Sequence, residues 1–446
     1  MPEIRWTDLD RPAPEWFRDA KLGIFVHWGP YSVPAWAERV GASGEPPEGE
    51  FFKHNPYAEW YWNSISLPGT LAHAHHVERY NDAPYDNFID AWTAAEYDPS
   101  EWVDVFVRAG ARYLIPTTKH HDGVPLWNAP GSGTRNTVHR GPRRDLIAPL
   151  FEAAQSRGLR LGVYYSGGLD WGVTGLPDIA DDAALHRNRP NDARYARLAH
   201  DQLVDLIDRY KPDVLWNDIN WPDAGKRAGA GGLYSLLADY YDRNPDGITN
   251  DRWGVDHHGF RTSEYAMAPG AEQAETWEHC RGLGHSFGYN RDEPASEHLD
   301  GDAVIAVLAD VVSRGGNLLL NVGPDEAGRI PAPQRAALES LAEWMSHHAD
   351  AIHDTRPYLA GQAGEEPWVR WTRSSTSVFA IAERGPDAIE LGAVPAELQA
   401  MEIMIDGRPA RLTRTDTRWK AHATTPRLTA HSLGVVQFLG EAGGPR

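Results

Sequence analysis

Apolar and polar positions follow two recurring patterns along the first three quarters of the chain. Short apolar runs, typical of strands buried on both faces of a parallel sheet, are followed by longer segments in which apolar residues recur at helical spacing. Strands are predicted at 23–28, 112–118, 159–166, 214–218, 247–252, 276–280 and 317–322. Helices are predicted at 98–110, 146–157, 194–210, 234–242, 303–313 and 334–352.

The ends of several predicted helices carry the expected boundary residues. Asp98 is followed by Pro99 and Glu101, which suit the cap, first and third positions of a helix. Gly158 and Pro212 each terminate a helix just before the next predicted strand. The chain therefore repeats the order of strand followed by helix.

Repeated βα units of this length predict an α/β fold, a TIM-like (β/α) barrel over residues 1–355. Fewer than the usual eight regular strands are recognisable, so an irregular barrel is expected. After residue 355 the pattern changes to short strand-like runs separated by turns such as 406–407. These runs lie at 368–372, 377–382, 401–405 and 433–439. Residues 356–446 are therefore predicted to form a small C-terminal antiparallel β-sandwich domain.

Composition and charge narrow the class of protein. With 446 residues, 41% of them hydrophobic, the chain can bury a large core. Its net charge of -20 repels phosphate backbones and anionic lipids, so neither nucleic acid nor a membrane is expected as a partner. The 18 Trp and 17 Tyr residues favour a sugar ligand, because the C–H faces of sugar rings stack on aromatic side chains.

The cysteine content and the N-terminal segment bear on location. Cys280 is the only cysteine, so the chain cannot form an internal disulfide. Residues 1–20 lack the apolar core of a signal peptide, and no apolar stretch of about eighteen residues follows. The predicted location is the cytoplasm.

Polar side chains follow several predicted strands at their carboxyl ends, where parallel α/β folds bind ligands. Asp218 is the clearest example because it ends the apolar run 214–216, although it could also serve only as the cap of the next turn. The full set is His27, His120, His121, Asp122, Tyr165, Asp218, Asn250, Asp251 and Arg252. Because these strand ends converge on one face of a barrel, they indicate a functional site.

Metal-dependent hydrolysis is one chemistry that such a set could support, since His and Asp residues at barrel strand ends can bind zinc. The spacing argues against it. His120 and His121 are adjacent, so on an extended strand they would point to opposite sides. His27 is followed by Trp28 and not by a second ligand two residues on. No metal and no cofactor are therefore expected.

Glycoside hydrolysis is the second chemistry, and it needs two carboxyl groups, one as nucleophile or base and one as proton donor. Asp218 is the candidate for the first role. Glu264, in a segment predicted as a loop after the strand 247–252, is the candidate for the second. Glu275 and Glu278 compete with it, and a surface salt bridge is the simpler explanation for each of the three glutamates.

A set of short motifs occurs along the chain in a defined order. They lie at 23–29, 59–63, 119–123, 162–166, 215–218, 250–254, 284–289 and 317–324. Together they resemble the alpha-L-fucosidases of glycoside hydrolase family 29, especially the bacterial branch that acts on simple aryl and broad fucosides. The resemblance covers about residues 5–355, whereas the C-terminal part is similar only in position and β character.

The resemblance implies a role for each matched residue. Asp218 takes the position of the nucleophile and Glu264 that of the acid/base. Many members have Gly directly after the nucleophile, whereas this chain has Ile219 and Asn220. The implied fucose pocket, with Phe287 near the sugar methyl, consists of His27, Glu59, Trp60, His120, His121, Tyr165, Trp216, Arg252 and Phe287.

The implied function is that of a retaining exo-alpha-L-fucosidase, which hydrolyses terminal fucosyl residues in two steps through a covalent glycosyl-enzyme intermediate. The expected partner is a small-molecule or oligosaccharide fucoside. Two rivals are a noncatalytic fucose-binding relative and a metal-dependent TIM-barrel hydrolase. The sequence is also compatible with a homo-oligomer.

Overall fold

Eight parallel strands surround the centre of the protein in this computed structural model, which describes residues 4–40, 46, 48–175, 177–266, 275–358, 367–385, 388–415, 418–424 and 431–440. The strands are β1 (Leu22–Val26), β2 (Tyr113–Lys119), β3 (Arg160–Ser166), β4 (Val214–Asp218), β5 (Ile248–Thr249), β6 (Arg261–Glu264), β7 (Trp277–Gly282) and β8 (Asn317–Val322). Their hydrogen-bonded order is β5-β4-β3-β2-β1-β8-β7-β6. The first and last strands, β1 and β8, are neighbours, as closure of a barrel requires.

The barrel is irregular where β5 and β6, the end strands of this order, approach each other. The backbone N–H groups of Gly259 and Phe260, just before β6, donate to the carbonyl oxygen of Thr249 in β5 at 2.8 and 3.2 Å. These two bonds join the edges in place of a regular ladder. The prediction of an irregular TIM-like barrel is confirmed.

The helices follow the strands along the chain, as the sequence pattern predicts. They are α1 (Glu15–Ala20), α2 (Tyr61–Ile65), α3 (Leu71–Tyr80), α4 (Asp86–Ala91), α5 (Pro99–Arg108), α6 (Ala148–Ser156), α7 (Trp171–Thr174), α8 (Asp182–Asn188), α9 (Ala193–Tyr210), α10 (Leu233–Arg243), α11 (Gly301–Ser313) and α12 (Ala332–His348). α9 shows how the boundaries arise. The Asp192 side chain caps its first turn, and Lys211 ends it in the left-handed conformation just before Pro212.

The interior of the barrel is filled by aromatic side chains. The rings of Phe25 and Trp216 lie 5.1 Å apart, and Tyr164 stacks on Trp216 at 5.5 Å. Gly23 on β1 leaves room for the ring of Tyr113, because a Cβ there would come within 2.3 Å of that ring. This aromatic layer lies below the strand-end residues.

One strand differs from the sequence prediction in a way that matters for function. Glu264 was expected in a loop, yet it is the last residue of β6, which pairs in parallel with β7. β6 is a short edge strand of polar residues, so it lacks the apolar run that identifies a central strand. The structure thus adds a strand end that the pattern did not predict.

The C-terminal part forms a second sheet of eight antiparallel strands. They are β9 (Arg356–Pro357), β10 (Val369–Arg373), β11 (Ser377–Glu383), β12 (Ile389–Gly392), β13 (Glu402–Ile405), β14 (Arg408–Thr415), β15 (Arg418–Ala423) and β16 (Leu433–Leu439). Their order is β12-β15-β14-β13-β16-β11-β10-β9. Although distant in this order, β11 and β12 lie in contact, so the sheet curls into the predicted β-sandwich.

The two sheets are joined through the helices α11 and α12. Side chains from β11 and β16 share the main core cluster with α11 and α12, and the indole N–H of Trp344 donates to the carbonyl oxygen of Leu433 at 3.2 Å. The division into domains at 1–355 and 356–446 stays a prediction. In the part of the chain that the structure describes, we find no helix that combines the length and the apolar character needed to span a membrane.

Candidate active site

A cavity of about 180 Å³ opens where the carboxyl ends of the parallel strands meet. Its walls come from residues in or just after the strands β1 to β7, together with the segment 51–60 and Leu185 of α8. The lining residues are Phe25, His27, Phe51, Phe52, Tyr57, Glu59, Trp60, His120, His121, Tyr164, Leu185, Trp216, Asp218, Ile219, Arg252, Glu264, Cys280 and Phe287. The cavity therefore brings together Asp218, Glu264 and every residue of the implied fucose pocket except Tyr165, whereas the strand-end residues Asp122, Asn250 and Asp251 lie outside its lining.

Asp218 is the last residue of β4 and lies almost buried in this cavity, with 7% of its surface exposed. Its Oδ1 accepts hydrogen bonds from Arg252 Nη1 at 3.0 Å and from the backbone N–H of Ile219 at 2.9 Å. Its Oδ2 accepts from the Tyr164 hydroxyl at 2.8 Å and lies 3.7 Å from His121 Nε2. Burial acts to raise the pKa of Asp218, but the Arg252 charge, together with the hydrogen bond from Tyr164, outweighs it and holds the pKa below its ordinary value.

Arg252 connects Asp218 with the second carboxylate. Its Nη2 donates to Glu264 Oε2 at 2.9 Å, and its Nε donates to the Thr262 hydroxyl at 3.1 Å. The guanidinium also lies over the ring of Trp216, 4.7 Å from its centre. Burial acts to lower the pKa of Arg252, but the charges of Glu264 and Asp218 outweigh it and raise the pKa well above its ordinary value.

Glu264 ends β6 at the edge of the cavity, where its side chain is about a third exposed at 29%. Besides Arg252, the Tyr57 hydroxyl contacts this carboxylate and donates to Oε1 at 3.0 Å. Each oxygen of Glu264 is thus held by a different donor. The carboxylate is oriented while one side stays open to the cavity.

Glu59 forms part of the buried floor of the cavity. Its Oε2 accepts hydrogen bonds from the backbone N–H of Gly288 at 2.7 Å and from the Ser286 hydroxyl at 3.4 Å. Burial, only partly offset by these donors, raises the pKa of Glu59 to about 8. The carboxyl group is therefore largely protonated at neutral pH and can both donate and accept.

The histidines of the floor are neutral and held in defined orientations. His27 Nδ1 lies 2.7 Å from Asn321 Oδ1, and His121 Nδ1 lies 2.7 Å from the Ser166 hydroxyl oxygen. Asn321 Nδ2 and the Ser166 hydroxyl both donate to backbone carbonyls, so in each pair the imidazole donates. Burial lowers the pKa of His27 to about 3 and that of His121 to about 4. Each Nε2 is therefore an acceptor.

His120 and His121 line the cavity together, contrary to the expectation for adjacent residues of a strand. β2 ends at Lys119, and the chain then turns, with the N–H of Gly123 donating to the carbonyl oxygen of His120 at 3.0 Å. The two imidazole rings lie only 4.0 Å apart. Burial lowers the pKa of His120 well below its ordinary value, so it too is neutral.

This arrangement of two carboxylates around a polar floor agrees with a comparison of the sequence with known families. Residues 2–350 match the family described as alpha-L-fucosidase. The chain belongs to the alpha-L-fucosidase family. It is therefore a glycoside hydrolase, and the family predicted from the motifs is confirmed.

Curated fucosidases and solved structures resemble this family member over most of its length. It is 30% identical to the alpha-L-fucosidase of Dictyostelium discoideum, covering 86% of this chain and 80% of that protein. It is 31% identical to the human tissue alpha-L-fucosidase, covering 86% and 78%. The crystal structure of the Thermotoga maritima alpha-fucosidase is similar with a TM-score of 0.83 and 40% identity, covering 96% of this chain and 97% of that one.

Tyr165, the residue of the implied fucose pocket that does not line the cavity, is replaced there by its neighbour Tyr164. The Tyr165 hydroxyl donates to Gln202 Oε1 at 2.8 Å, and its ring lies 4.4 Å from Lys119 Nζ on the helix side of the sheet. Side chains alternate between the two faces of a strand, so only one of the two tyrosines can face the fucosidase cavity. Leu161 and Val163 pack in the same outer core as Tyr165, and this alternation would have identified Tyr164.

The two glutamates that competed with Glu264 lie outside the cavity lining. Glu278 is fully buried below it, where it accepts from Trp216 Nε1 at 3.0 Å and from the Tyr113 hydroxyl at 2.6 Å. Burial raises the pKa of Glu278 to about 7. Glu275 is about half exposed and paired with Arg261, so it too lies away from the cavity.

Several lining residues of the fucosidase cavity were not predicted from the sequence. They are Phe25, Phe51, Phe52, Tyr57, Tyr164, Leu185, Ile219 and Cys280. Apart from Tyr164, none is a polar residue near the carboxyl end of a predicted strand. The search for polar strand-end residues therefore could not identify them. Among the described residues, His285, Glu293 and Glu297 bring ligand atoms within 4.8 Å of one another, but they lie outside the cavity lining.

Proposed function

We propose that this protein is a retaining exo-alpha-L-fucosidase in which Asp218 is the nucleophile and Glu264 the acid/base. The observation that carries the proposal is the single guanidinium of Arg252, bonded to Asp218 at 3.0 Å and to Glu264 at 2.9 Å. Retaining glycosidases hold their two carboxyl groups about 5–5.5 Å apart, closer than the roughly 6.5–9.5 Å of inverting enzymes. Because Asp218 and Glu264 bind the same guanidinium, they lie close together, which favours the spacing of a retaining enzyme.

The chemistry of the cavity suits L-fucose, which has three hydroxyl groups and one methyl group. The neutral histidines and Glu59 offer donors and acceptors for the hydroxyls, while Phe287 offers an apolar surface 5.0 Å from the His27 ring. The Thermotoga maritima alpha-fucosidase has been solved in complex with fucose and with a mechanism-based inhibitor. These complexes support fucose as the sugar bound by the present chain.

In the first step, a carboxylate oxygen of Asp218 attacks the anomeric carbon of the fucosyl group as the bond to the leaving group breaks. Glu264 gives its proton to the departing oxygen, so the leaving group departs as a neutral alcohol. Arg252, Tyr164 and the N–H of Ile219 orient Asp218 for this attack. The step forms a fucosyl ester on Asp218 and leaves Glu264 as a carboxylate.

In the second step, Glu264 removes a proton from water, whose oxygen attacks the anomeric carbon and breaks the ester to Asp218. Fucose is released with the same anomeric configuration as the substrate, and both carboxyl groups return to their starting states. The Tyr57 hydroxyl, 3.0 Å from Glu264 Oε1, keeps this group oriented in both steps. The buried floor formed by Glu59 and His27 supports action on terminal residues only.

The stereochemical course tests the proposal directly. Proton NMR during hydrolysis of an aryl alpha-L-fucoside should show the alpha anomer of fucose first, with the beta anomer appearing later by mutarotation. Asp218→Gly should lose turnover and regain part of it with azide, which enters the vacated space. Initial release of the beta anomer, or wild-type activity in Asp218→Gly, would contradict the proposal.

The acid/base is tested by leaving groups of different basicity. Glu264→Gln should lose much more activity on a natural fucoside than on an aryl fucoside whose leaving group needs no proton. Glu275→Gln, which alters an exposed carboxylate, is the matched control and should lose little on either. Equal losses of the two substrates in Glu264→Gln would assign proton donation elsewhere.

Two rival functions make different predictions. A metal-dependent hydrolase would lose activity after treatment with a chelator, whereas the carboxylate mechanism predicts full activity on a fucoside. A noncatalytic relative would bind fucose without releasing it from a fucoside. The presence of both Asp218 and Glu264 in one cavity favours catalysis.

We also propose a cytoplasmic location, with Cys280 as a buried thiol suited to a reducing compartment. A homo-oligomer is a further proposal, and light scattering of the purified protein measures it. The proposed catalytic mechanism depends on neither the location nor the oligomeric state.

A further inference from the structure

Ile219, directly after Asp218, has an unfavourable backbone conformation. Its φ is +65° and that of Asn220 is +126°, both in the region that favours glycine. A β-branched residue is strained at such an angle, and strain of this kind costs about 1–3 kcal/mol. The surrounding structure must therefore hold the turn in place.

Neighbouring groups fix this turn on both sides. The carbonyl oxygen of Asp218 accepts from the N–H of Gly168 at 3.1 Å, and a Cβ on Gly168 would come within 2.8 Å of the Ile219 backbone. Asn217 Nδ2 donates to the carbonyl oxygen of Asn220 at 2.9 Å. The strained conformation also brings the N–H of Ile219 to Asp218 Oδ1. The turn thus serves the nucleophile and sets the direction of the Ile219 side chain.

The side chain of Ile219 joins two others in an apolar wall, defined here as Phe52, Leu185 and Ile219. All three line the cavity, and all three pack against the same cluster, which includes the buried rings of Trp60 and Trp171. They come from separate parts of the chain: the segment before α2, the helix α8 and the turn after β4. Each is half-buried.

The wall and the floor of the cavity differ in exposure. Glu59, His27 and the two adjacent histidines form the floor, where each is no more than 4% exposed. The residues of the wall are more exposed and therefore lie nearer the opening. If the fucosyl group occupies the floor with its anomeric carbon at Asp218, the leaving group extends outward past the wall.

The wall offers hydrocarbon and an aromatic ring, with no polar atom in its three side chains. Among the described cavity residues near the opening, Arg252 and Glu264 are charged, but they are paired with each other. The Tyr57 hydroxyl is used by Glu264. The surface is therefore complementary to a flat apolar face.

We propose that Ile219 determines leaving-group specificity, and that with Phe52 and Leu185 it selects leaving groups with a flat apolar face, either an aryl ring or the C–H face of a sugar ring. The inference rests on the proposed function. Ile219 thus adds apolar binding surface for the leaving group directly beside Asp218.

The test compares a substrate with a ring on its leaving group with one that has none. For each variant, kcat/KM is measured on 4-nitrophenyl alpha-L-fucoside and on alpha-L-fucosyl fluoride, and the ratio of the two is taken. Any displacement of Asp218 caused by a substitution changes kcat/KM for both substrates, so its effect on the ratio is reduced. Ile219→Asn keeps a residue that tolerates the left-handed region while removing the apolar surface. The ratio should fall about tenfold.

A second variant avoids the strained turn. Leu185→Ala shortens another residue of the wall and should lower the ratio in the same direction, by roughly threefold or more. Leu71→Ala, at an exposed leucine outside the cavity lining, is the matched control and should keep the wild-type ratio. Ratios within twofold of wild type in both wall variants would overturn the inference.

A fucosyl disaccharide distinguishes the two sources of the apolar face. If its kcat/KM falls in Ile219→Asn along with that of the aryl fucoside, the wall binds sugar rings as well as aryl groups. If only the aryl fucoside is affected, the wall selects aryl groups. If the wild-type protein hydrolyses none of the three fucosides, the proposed function itself fails, and this outcome is distinct from an unchanged ratio.

Discussion

At the scale of single residues, Arg252 is the group that organises the site. Its two terminal nitrogens hold Asp218 and Glu264, and its third nitrogen bonds Thr262. A planar guanidinium can serve several acceptors in fixed directions, whereas a lysine ammonium acts as a point charge. The same cation keeps the pKa of Asp218 low, which favours the ionised form that the proposed nucleophile needs.

Replacing Arg252 should therefore change both the rate and the pH profile. In Arg252→Met, kcat/KM on an aryl fucoside should fall by roughly a hundredfold or more. The acid limb of its pH profile should move to higher pH, because Asp218 loses the charge that lowers its pKa. Arg291→Met, at a half-exposed arginine paired with Glu326, is the control. An acid limb that does not move would show that Arg252 does not set the ionisation of the nucleophile.

Glu59 makes a second prediction at this scale. Its pKa of about 8 in the folded protein lies above the ordinary value of 4.5, so folding retains a proton that the unfolded chain releases. Its contribution to stability is fully present below the unfolded pKa and is lost as pH rises through about 8. The fall in Tm from about pH 5 to about pH 9 should be smaller in Glu59→Gln than in the wild type. Equal falls would mean that the Glu59 carboxyl group is ionised in the folded protein at neutral pH.

The pair Tyr164 and Tyr165 shows what sequence reasoning lacked at the residue scale. The motif at 162–166 identified the strand β3, and the position of Asp218 at the end of another strand, β4, was predicted correctly. The motif alone did not specify which tyrosine faces inward. That choice depends on the alternation of side chains, and the outer packing of Leu161 and Val163 supplies it.

At the scale of elements, strong apolar runs predicted β2, β3, β4 and β8, because burial on both faces leaves a clear pattern. β6 was missed because an edge strand of polar residues has no such run. The turn after β2 brings both histidines into the cavity. It was not predicted, because His120 and His121 were assumed to continue the extended strand beyond Lys119.

Glu278 on β7 stabilises β4 by accepting a hydrogen bond from Trp216, and replacing it should lower the stability of the protein. Glu278→Leu leaves the Trp216 indole N–H and the Tyr113 hydroxyl buried without an acceptor. Each unpaired group costs about 1–3 kcal/mol, so the free energy of unfolding should fall by about 2–6 kcal/mol in urea denaturation. Glu275→Leu removes only a half-exposed salt bridge and should cost less than about 1 kcal/mol. Similar losses in the two variants would contradict this role for Glu278.

At the scale of the whole molecule, the barrel and the antiparallel sheet were both predicted, but their contact was not. The contact is built from residues far apart in the chain. Asp406, in the turn between β13 and β14, is buried against Arg384 at 2.5 Å and His348 at 3.5 Å. Burial lowers the pKa of His348 to about 4, so Arg384 carries the charge that balances Asp406. No local pattern indicates such a pairing.

Removing that charge should destabilise the protein without changing its chemistry. Arg384→Met leaves the Asp406 carboxylate buried without a cation and should lower the free energy of unfolding by about 3–5 kcal/mol. Arg384 lies outside the cavity lining, so kcat/KM per folded molecule should stay near that of the wild type. Urea denaturation and active-site titration measure the two quantities. A stability equal to wild type would show that Asp406 is not held by this ion pair.

The central claim is that Asp218 forms a covalent bond to the sugar, and trapping that bond tests it most directly. In a 2-deoxy-2-fluoro-fucosyl fluoride, the fluorine at C2 slows both steps, but the good fluoride leaving group at C1 keeps the first step the faster one, so the ester accumulates. After proteolysis, mass spectrometry should find the fluorofucosyl group on the peptide that contains Asp218, and Asp218→Asn should not be labelled. A label on another residue, or no label in a protein that hydrolyses fucosides, would contradict the account.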